Sequence, residues 1–84
     1  MENVLTNATI QVYPNPTQGR VTIDLGGFYK NVSVVLRNVV GQEVMRENYQ
    51  KANRIDLEVK GETGVYLLEL MLDNKRTIFK VMKQ

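Results

Sequence analysis

Apolar and polar residues alternate with period two along most of the chain, the pattern of strands with one buried face. Ile10 and Val12 open a short strand that Pro14 and Pro16 stop, because proline has no backbone N–H to give to a ladder. Val21, Ile23 and Leu25 form one face of a second strand, ended by Gly26 and Gly27. A third covers residues 31–39, with Val32, Val34 and Leu36 on one face. Gly41 and Gln42 then turn the chain into a fourth, residues 43–49. Ile55, Leu57 and Val59 alternate with Asp56, Glu58 and Lys60 in a half-buried fifth, and residues 61–64 turn the chain again.

Residues 65–72 are nearly continuous in apolar side chains, interrupted by Glu69. Such a run predicts a central, largely buried strand, with Tyr66, Leu68, Leu70 and Leu72 on one face. Asp73 and Asn74 both tolerate positive φ, so they predict a two-residue hairpin turn. The final strand, residues 75–83, places Phe79 and Val81 on one face and Ile78 and Met82 on the other. A helix over residues 32–45 is disfavoured by the density of β-branched residues and by Gly41. About seven short strands between turns predict an all-β fold, a single immunoglobulin-like β-sandwich of antiparallel strands.

The chain has 84 residues, enough for one domain. A domain of this size buries only about 60–65% of its unfolded surface, so its margin of stability is small. Hydrophobic content of 43% and charged content of 24% fit a globular fold rather than disorder. There is no cysteine, hence no disulfide framework. No apolar run approaches the ~20 residues of a membrane span. The N-terminus has no basic region followed by an apolar core, so any secretory signal is expected upstream of Met1.

Net charge is +2, too small to steer the chain to nucleic acid. Its distribution says more. Residues 75–84 hold Lys75, Arg76, Lys80 and Lys83 and no acid. Basic residues on a last strand also serve as a solvated edge that resists aggregation, because edge lysines discourage strand addition.

Catalytic chemistry finds little to use. Histidine and cysteine are absent, which removes the usual general base, the thiol nucleophile and the soft metal ligands together. Ser33 is the only serine, lies mid-strand and has no histidine to activate it. Asp56 and Glu58 stand two apart on one strand face, roughly 6.5–7 Å between Cα atoms, near a glycosidase carboxylate spacing. They occupy the polar side of a clean alternation, as solvated surface carboxylates do. No calcium loop and no glycine-rich phosphate loop occurs. Asn7 and Asn31 sit in N-glycosylation sequons, which matter only in a eukaryotic secreted context. The expectation is a non-enzyme with no catalytic, cofactor-binding or metal-binding residue.

Three stretches, taken in order, carry a resemblance. They are "VYPNPTQGRVTIDL" from Val12, "VVLRNVVGQEVM" from Val34 and "IDLEVKGETGVYLLEL" from Ile55, followed by the basic close "KRTIFKVMKQ". Residues 12–84 resemble the C-terminal sorting domain of cargo proteins of the bacterial type IX secretion system. The family pattern falls on Pro14, Asn15 and Pro16, on Gly19, on the Gly41 turn, and on Gly64 and Tyr66. The turn before Tyr66 departs from the family's usual leucine, with Gly61 three residues before Gly64. Residues 1–11 would be the lead-in from an upstream passenger together with the first strand.

The resemblance implies a role without catalysis and without a cofactor. The domain would direct a larger, covalently fused cargo across the outer membrane through the type IX translocon. A surface sortase would then usually remove it and anchor the cargo to the cell surface. The protein would thus be periplasmic in transit, then at the cell surface or secreted, with no nucleic-acid partner and no membrane span. It also implies a β-sandwich of about seven strands, in agreement with the alternation.

On this reading Pro14 and Pro16 stiffen the chain as it enters the domain and hold the upstream segment clear of the sheet edge. Gly64 calls for positive φ or close backbone approach, and Tyr66 for a core ring whose hydroxyl reaches a partner. Lys80, Lys83 and Gln84 are the candidates for translocon recognition, by strand addition with charge selecting the partner. The competing function is an adhesive or spacer immunoglobulin-like module retained on a surface protein. Carbohydrate binding has less support, with no tryptophan and only Tyr29 and Tyr49 expected near exposed turns.

Overall fold

A computed structural model describes residues 10–84, so residues 1–9, with the Asn7 sequon and most of the expected lead-in, lie outside the described residues. Five antiparallel strands make up the fold: β1 (Gln11–Tyr13), β2 (Arg20–Asn38), β3 (Glu43–Glu58), β4 (Gly64–Leu72) and β5 (Lys75–Lys83). There is no helix among the described residues. The strands form one curled sheet in the order β1-β2-β4-β5, with β3 also paired to β2. β2 organises it. Its first half lies between β1 and β3, and its second half between β3 and β4.

The fold is all-β as the alternation predicts, but the seven expected runs are five strands. Gly26 and Gly27 do not end a strand. β2 runs through them, and its ladder with β3 passes from Asp24↔Arg54 to Tyr29↔Ala52 across an irregularity. Four residues of β2 there oppose a single residue of β3, which bends the ribbon as a bulge does. Gly26, at φ +76°, supplies the left-handed turn of the bend. The slip also flips the inward parity, from Val21, Ile23 and Leu25 to Val32, Val34 and Leu36. A parity change reads in sequence as a break between strands, because side-chain direction has a period of two.

Both halves of the bent ribbon face one core, which gathers Val21, Ile23, Leu25, Val34, Ile55, Leu68, Leu70 and Val81 among others. Burying each such side chain stabilises the fold by about 1.5–3 kcal/mol relative to exposure. β4 is an inner strand, between β2 and β5, and its Tyr66, Leu68, Leu70 and Leu72 are buried. Asp73 and Asn74 turn it into β5 with φ of 47° and 72°, the double positive φ of a type I′ hairpin.

Candidate functional site

The fold brings the scattered motif residues to one end of the sheet. Asn38, before the Gly41 turn, lies opposite Tyr66, and Gly64 lies opposite Lys83. Thr17 forms a parallel bridge with Lys83. The Gly19 carbonyl accepts the Val59 N–H at 2.6 Å. Residues 14–19, the turns at 39–42 and 60–64, and the end of β5 thus form one neighbourhood.

Asn15 is the centre of the first motif. Prolines stand on both sides of it, each after a cis peptide bond, and its side chain reaches β5. Its Nδ2 donates to the Lys80 carbonyl at 2.7 Å, and its Oδ1 accepts the Met82 N–H at 2.9 Å. Thr17 continues the contact with its backbone: its N–H donates to the Met82 carbonyl, and its carbonyl accepts the Gln84 N–H, both at 2.8 Å. Its side chain is locked as well. The Thr17 hydroxyl donates to the Arg20 carbonyl at 2.6 Å and accepts the Gly19 N–H at 3.0 Å. Thr17 is the buried polar residue among those described, at 2% exposure. Sequence reasoning passed over it, although a threonine two residues before a turn glycine is a recognisable side-chain-to-backbone turn former.

The placement of the two prolines and of the recognition candidates follows from this geometry. Beside Pro14 and Pro16, Asn15 and Thr17 are seated on the edge of β5, and the segment upstream of residue 10 lies outside the described residues. The backbone groups that an incoming strand would use at Lys80, Met82 and Gln84 are already bonded to Asn15 and Thr17. The three recognition candidates also do not share one surface. Lys80 is exposed on the outer side of the hairpin, opposite Leu67. Lys83, three residues on in a strand, points to the other side, where its Nζ donates to the Gly61 carbonyl at 2.8 Å. Gln84 is exposed beyond the end of β5.

The Gly64–Tyr66 element forms the corner between β3 and β4. Gly64 has φ +144° and open space where a Cβ would stand, so backbone conformation rather than crowding requires glycine. The Tyr66 ring is buried in the core, and its hydroxyl donates to the Glu62 carbonyl at 2.6 Å. The Gly41 turn is closed by Asn38, whose Oδ1 accepts the N–H groups of Val40 and Gln42.

The remaining polar groups hold strands together. Asp56 accepts the Thr22 hydroxyl at 2.8 Å on the exposed side of the ribbon, and Glu58 is exposed. Ser33 donates to Asn48 Oδ1 at 2.8 Å. Arg54 donates to the Tyr13 hydroxyl at 3.0 Å, and this bond holds its guanidinium still more firmly protonated than usual. Glu43 takes a two-pronged pair from Arg46, whose hydrogen bonds draw its carboxyl below the ordinary range. Burial raises the Tyr49 phenol above its ordinary value, with the Glu47 carboxylate adding to the effect. Among the described residues no group of three or more acidic side chains could hold a metal ion, and no helix is long and apolar enough to cross a membrane.

No curated protein matches the chain. A family model does: that of the secretion system C-terminal sorting domain, over residues 11–84. It covers the Asn15–Thr17 clasp, the Gly41 turn, the Tyr66 corner and the whole of β5 in one unbroken match. The chain belongs to the secretion system C-terminal sorting domain family, the sorting domain of type IX secretion.

Proposed function

We propose that this domain is the non-catalytic address by which a larger cargo, fused upstream, is passed from the periplasm across the outer membrane by the type IX translocon. A surface sortase then removes the domain and leaves the cargo anchored at the cell surface. The observation that carries this reading is the family match over residues 11–84. The gathering of the motif positions at one end of the sheet supports it. They are far apart in sequence but lie together in the fold, so the address is a folded surface rather than a linear tag. On this reading residues 1–11 lead in from the passenger, residues 12–84 are the address, and Lys80 belongs to the surface that is read. The curl of β2–β3 around one core, with a tyrosine hydroxyl bonded to the backbone four residues upstream, favours an immunoglobulin-like arrangement, in which a corner of this kind recurs.

The test is a fluorescent passenger carrying its own signal peptide, fused to residues 1–84 and expressed in cells with and without a type IX translocon. Delivery to the surface or medium only where the translocon is present is expected. The delivered passenger should be shorter by about the mass of the domain, 9.6 kDa. A passenger left in the periplasm of both strains overturns the proposal. Translocon-independent surface display at full length would favour a retained adhesive module.

A further inference from the structure

Apart from Val44, exposed at its start, the outward positions of β3 are polar, as solvated strands require: Arg46, Asn48, Arg54, Asp56 and Glu58 are all exposed. The β4–β5 hairpin breaks this rule. Leu67 and Met71 are 37% exposed, Met82 42% and Ile78 52%. All four alternate with buried Tyr66, Leu68, Leu70 and Val81, so they share the outer side of the hairpin. The register makes them neighbours, pairing Val65 with Met82, Leu67 with Lys80, Glu69 with Ile78 and Met71 with Arg76.

Charge gives this apolar stripe a sign. Glu69 sits within it, its side chain only 14% exposed, ion-paired to Arg37 at 3.4 Å and also to Arg76. The one acid is therefore neutralised inside the face. Arg37, Arg76 and Lys80 together outnumber it, and the neighbouring Arg46 and Glu43 balance one another, so the surroundings of the stripe remain positive.

We infer that the outer face of β4–β5 is a docking surface for a separate protein whose own surface presents apolar side chains inside an acidic rim. The inference deepens the sorting role and rests on it, since the partner is met during export. A second copy of the chain is a poor occupant, because two such faces would bring like charges together. An anionic membrane is also a poor one. Electrostatic lipid binding uses clusters of roughly four to eight Lys/Arg, and interfacial anchoring favours aromatic rings. Here most cations at the stripe are tied to acids, Arg37 and Arg76 to Glu69 and Arg46 to Glu43, and the nearest ring, Phe79, packs towards the core. An acidic-rimmed protein surface matches both the apolar centre and the excess charge.

The test uses the passenger fusion. In one variant Leu67→Thr, Met71→Thr and Ile78→Thr are combined, because threonine keeps strand propensity while removing the apolar stripe. Phe28→Thr, at a still more exposed apolar residue on the far bend, is the control. The triple variant should melt close to wild type and lose at least tenfold in delivery, with the control unchanged. Lys80→Glu should lower delivery several-fold. Should the triple variant fail to fold, Ile78→Thr alone must still lower delivery at least threefold.

A folded triple variant delivered as well as wild type overturns the inference and leaves the sorting role standing. A wild-type fusion left in the periplasm removes both. Two solution measurements test the other occupants on purified residues 1–84. Sedimentation with phosphatidylglycerol vesicles that the triple variant abolishes would give the face to lipid. A wild-type dimer in analytical ultracentrifugation that the triple variant dissolves would give it to a second copy. Either result overturns the inference.

Discussion

Asn15 holds Met82 as a neighbouring strand would: its Oδ1 accepts the Met82 N–H at 2.9 Å while its Nδ2 donates to the Lys80 carbonyl at 2.7 Å. The amide has one acceptor and one donor at a spacing that matches alternate backbone groups of a strand edge. One side chain thereby covers part of the edge on which the chain ends, and the first motif of the sequence is joined to the last.

Asn15→Ala should destabilise the domain by about 1–2 kcal/mol, the loss of two largely exposed hydrogen bonds. Asn15→Asp should do no better, because the second carboxylate oxygen would face the Lys80 carbonyl instead of donating to it. Urea midpoints give the magnitude. Amide exchange locates it, with faster exchange expected at Met82 in both variants. Unchanged exchange there would mean that the clasp does not hold the edge in solution.

Thr17→Val should cost about 1–3 kcal/mol, since the Gly19 N–H and the Arg20 carbonyl lose their partner in a buried place. Thr17→Ser restores the hydroxyl and should recover most of the loss. Equal melting temperatures for valine and serine at this position would contradict the hydrogen-bonding role.

Tyr66→Phe and Tyr66→Ala separate the hydroxyl from the ring. Removing the hydroxyl leaves the Glu62 carbonyl at the surface of the corner and should cost about 1 kcal/mol. Removing the ring should cost about 3–5 kcal/mol, as truncations of buried aromatics do. In a domain at the low end of the ~5–15 kcal/mol range, the second change approaches complete unfolding. Denaturant titration of both variants measures the split.

Gly64→Ala tests a backbone effect by itself. The added methyl meets open space, so the cost comes from holding alanine at φ +144°, about 1–3 kcal/mol. A variant as stable as wild type in urea would show that the corner relaxes without penalty.

Tyr49 predicts an alkaline limb of stability. Its phenol is raised above the ordinary value, so the folded state favours the protonated form more than the unfolded chain does. That contribution is complete below the unfolded value, about 10, and is lost as pH rises through the folded value. Tyr49→Phe should therefore flatten the fall in stability between about pH 9.5 and 11, beyond the ordinary phenol value. Identical pH profiles of wild type and Tyr49→Phe in thermal melts would rule the effect out.

Period-two alternation by itself determined which runs are extended and which faces point inward, because side-chain direction along a strand depends only on local backbone geometry, and the tolerance of Asp73 and Asn74 for positive φ determined their turn. Leu68, Leu70 and Val81 are buried for the same reason that they alternate with Glu69 and Lys80. The linear order of motifs likewise carried the family resemblance. Strand continuity through Gly26 and Gly27 was not legible, since it depends on β3 running alongside to resume the ladder after the slip. Nor was the clasp of Asn15 and Thr17 on β5, whose partners lie more than 60 residues away. The opposite directions of Lys80 and Lys83 follow from parity in the sequence, but what each reaches does not. The bonded end of the β5 edge, and the apolar outer face of β4–β5 with Glu69 held between Arg37 and Arg76, exist only once the sheet has curled. Pairing of distant segments is set by how the whole chain closes around its core, and no local pattern records it.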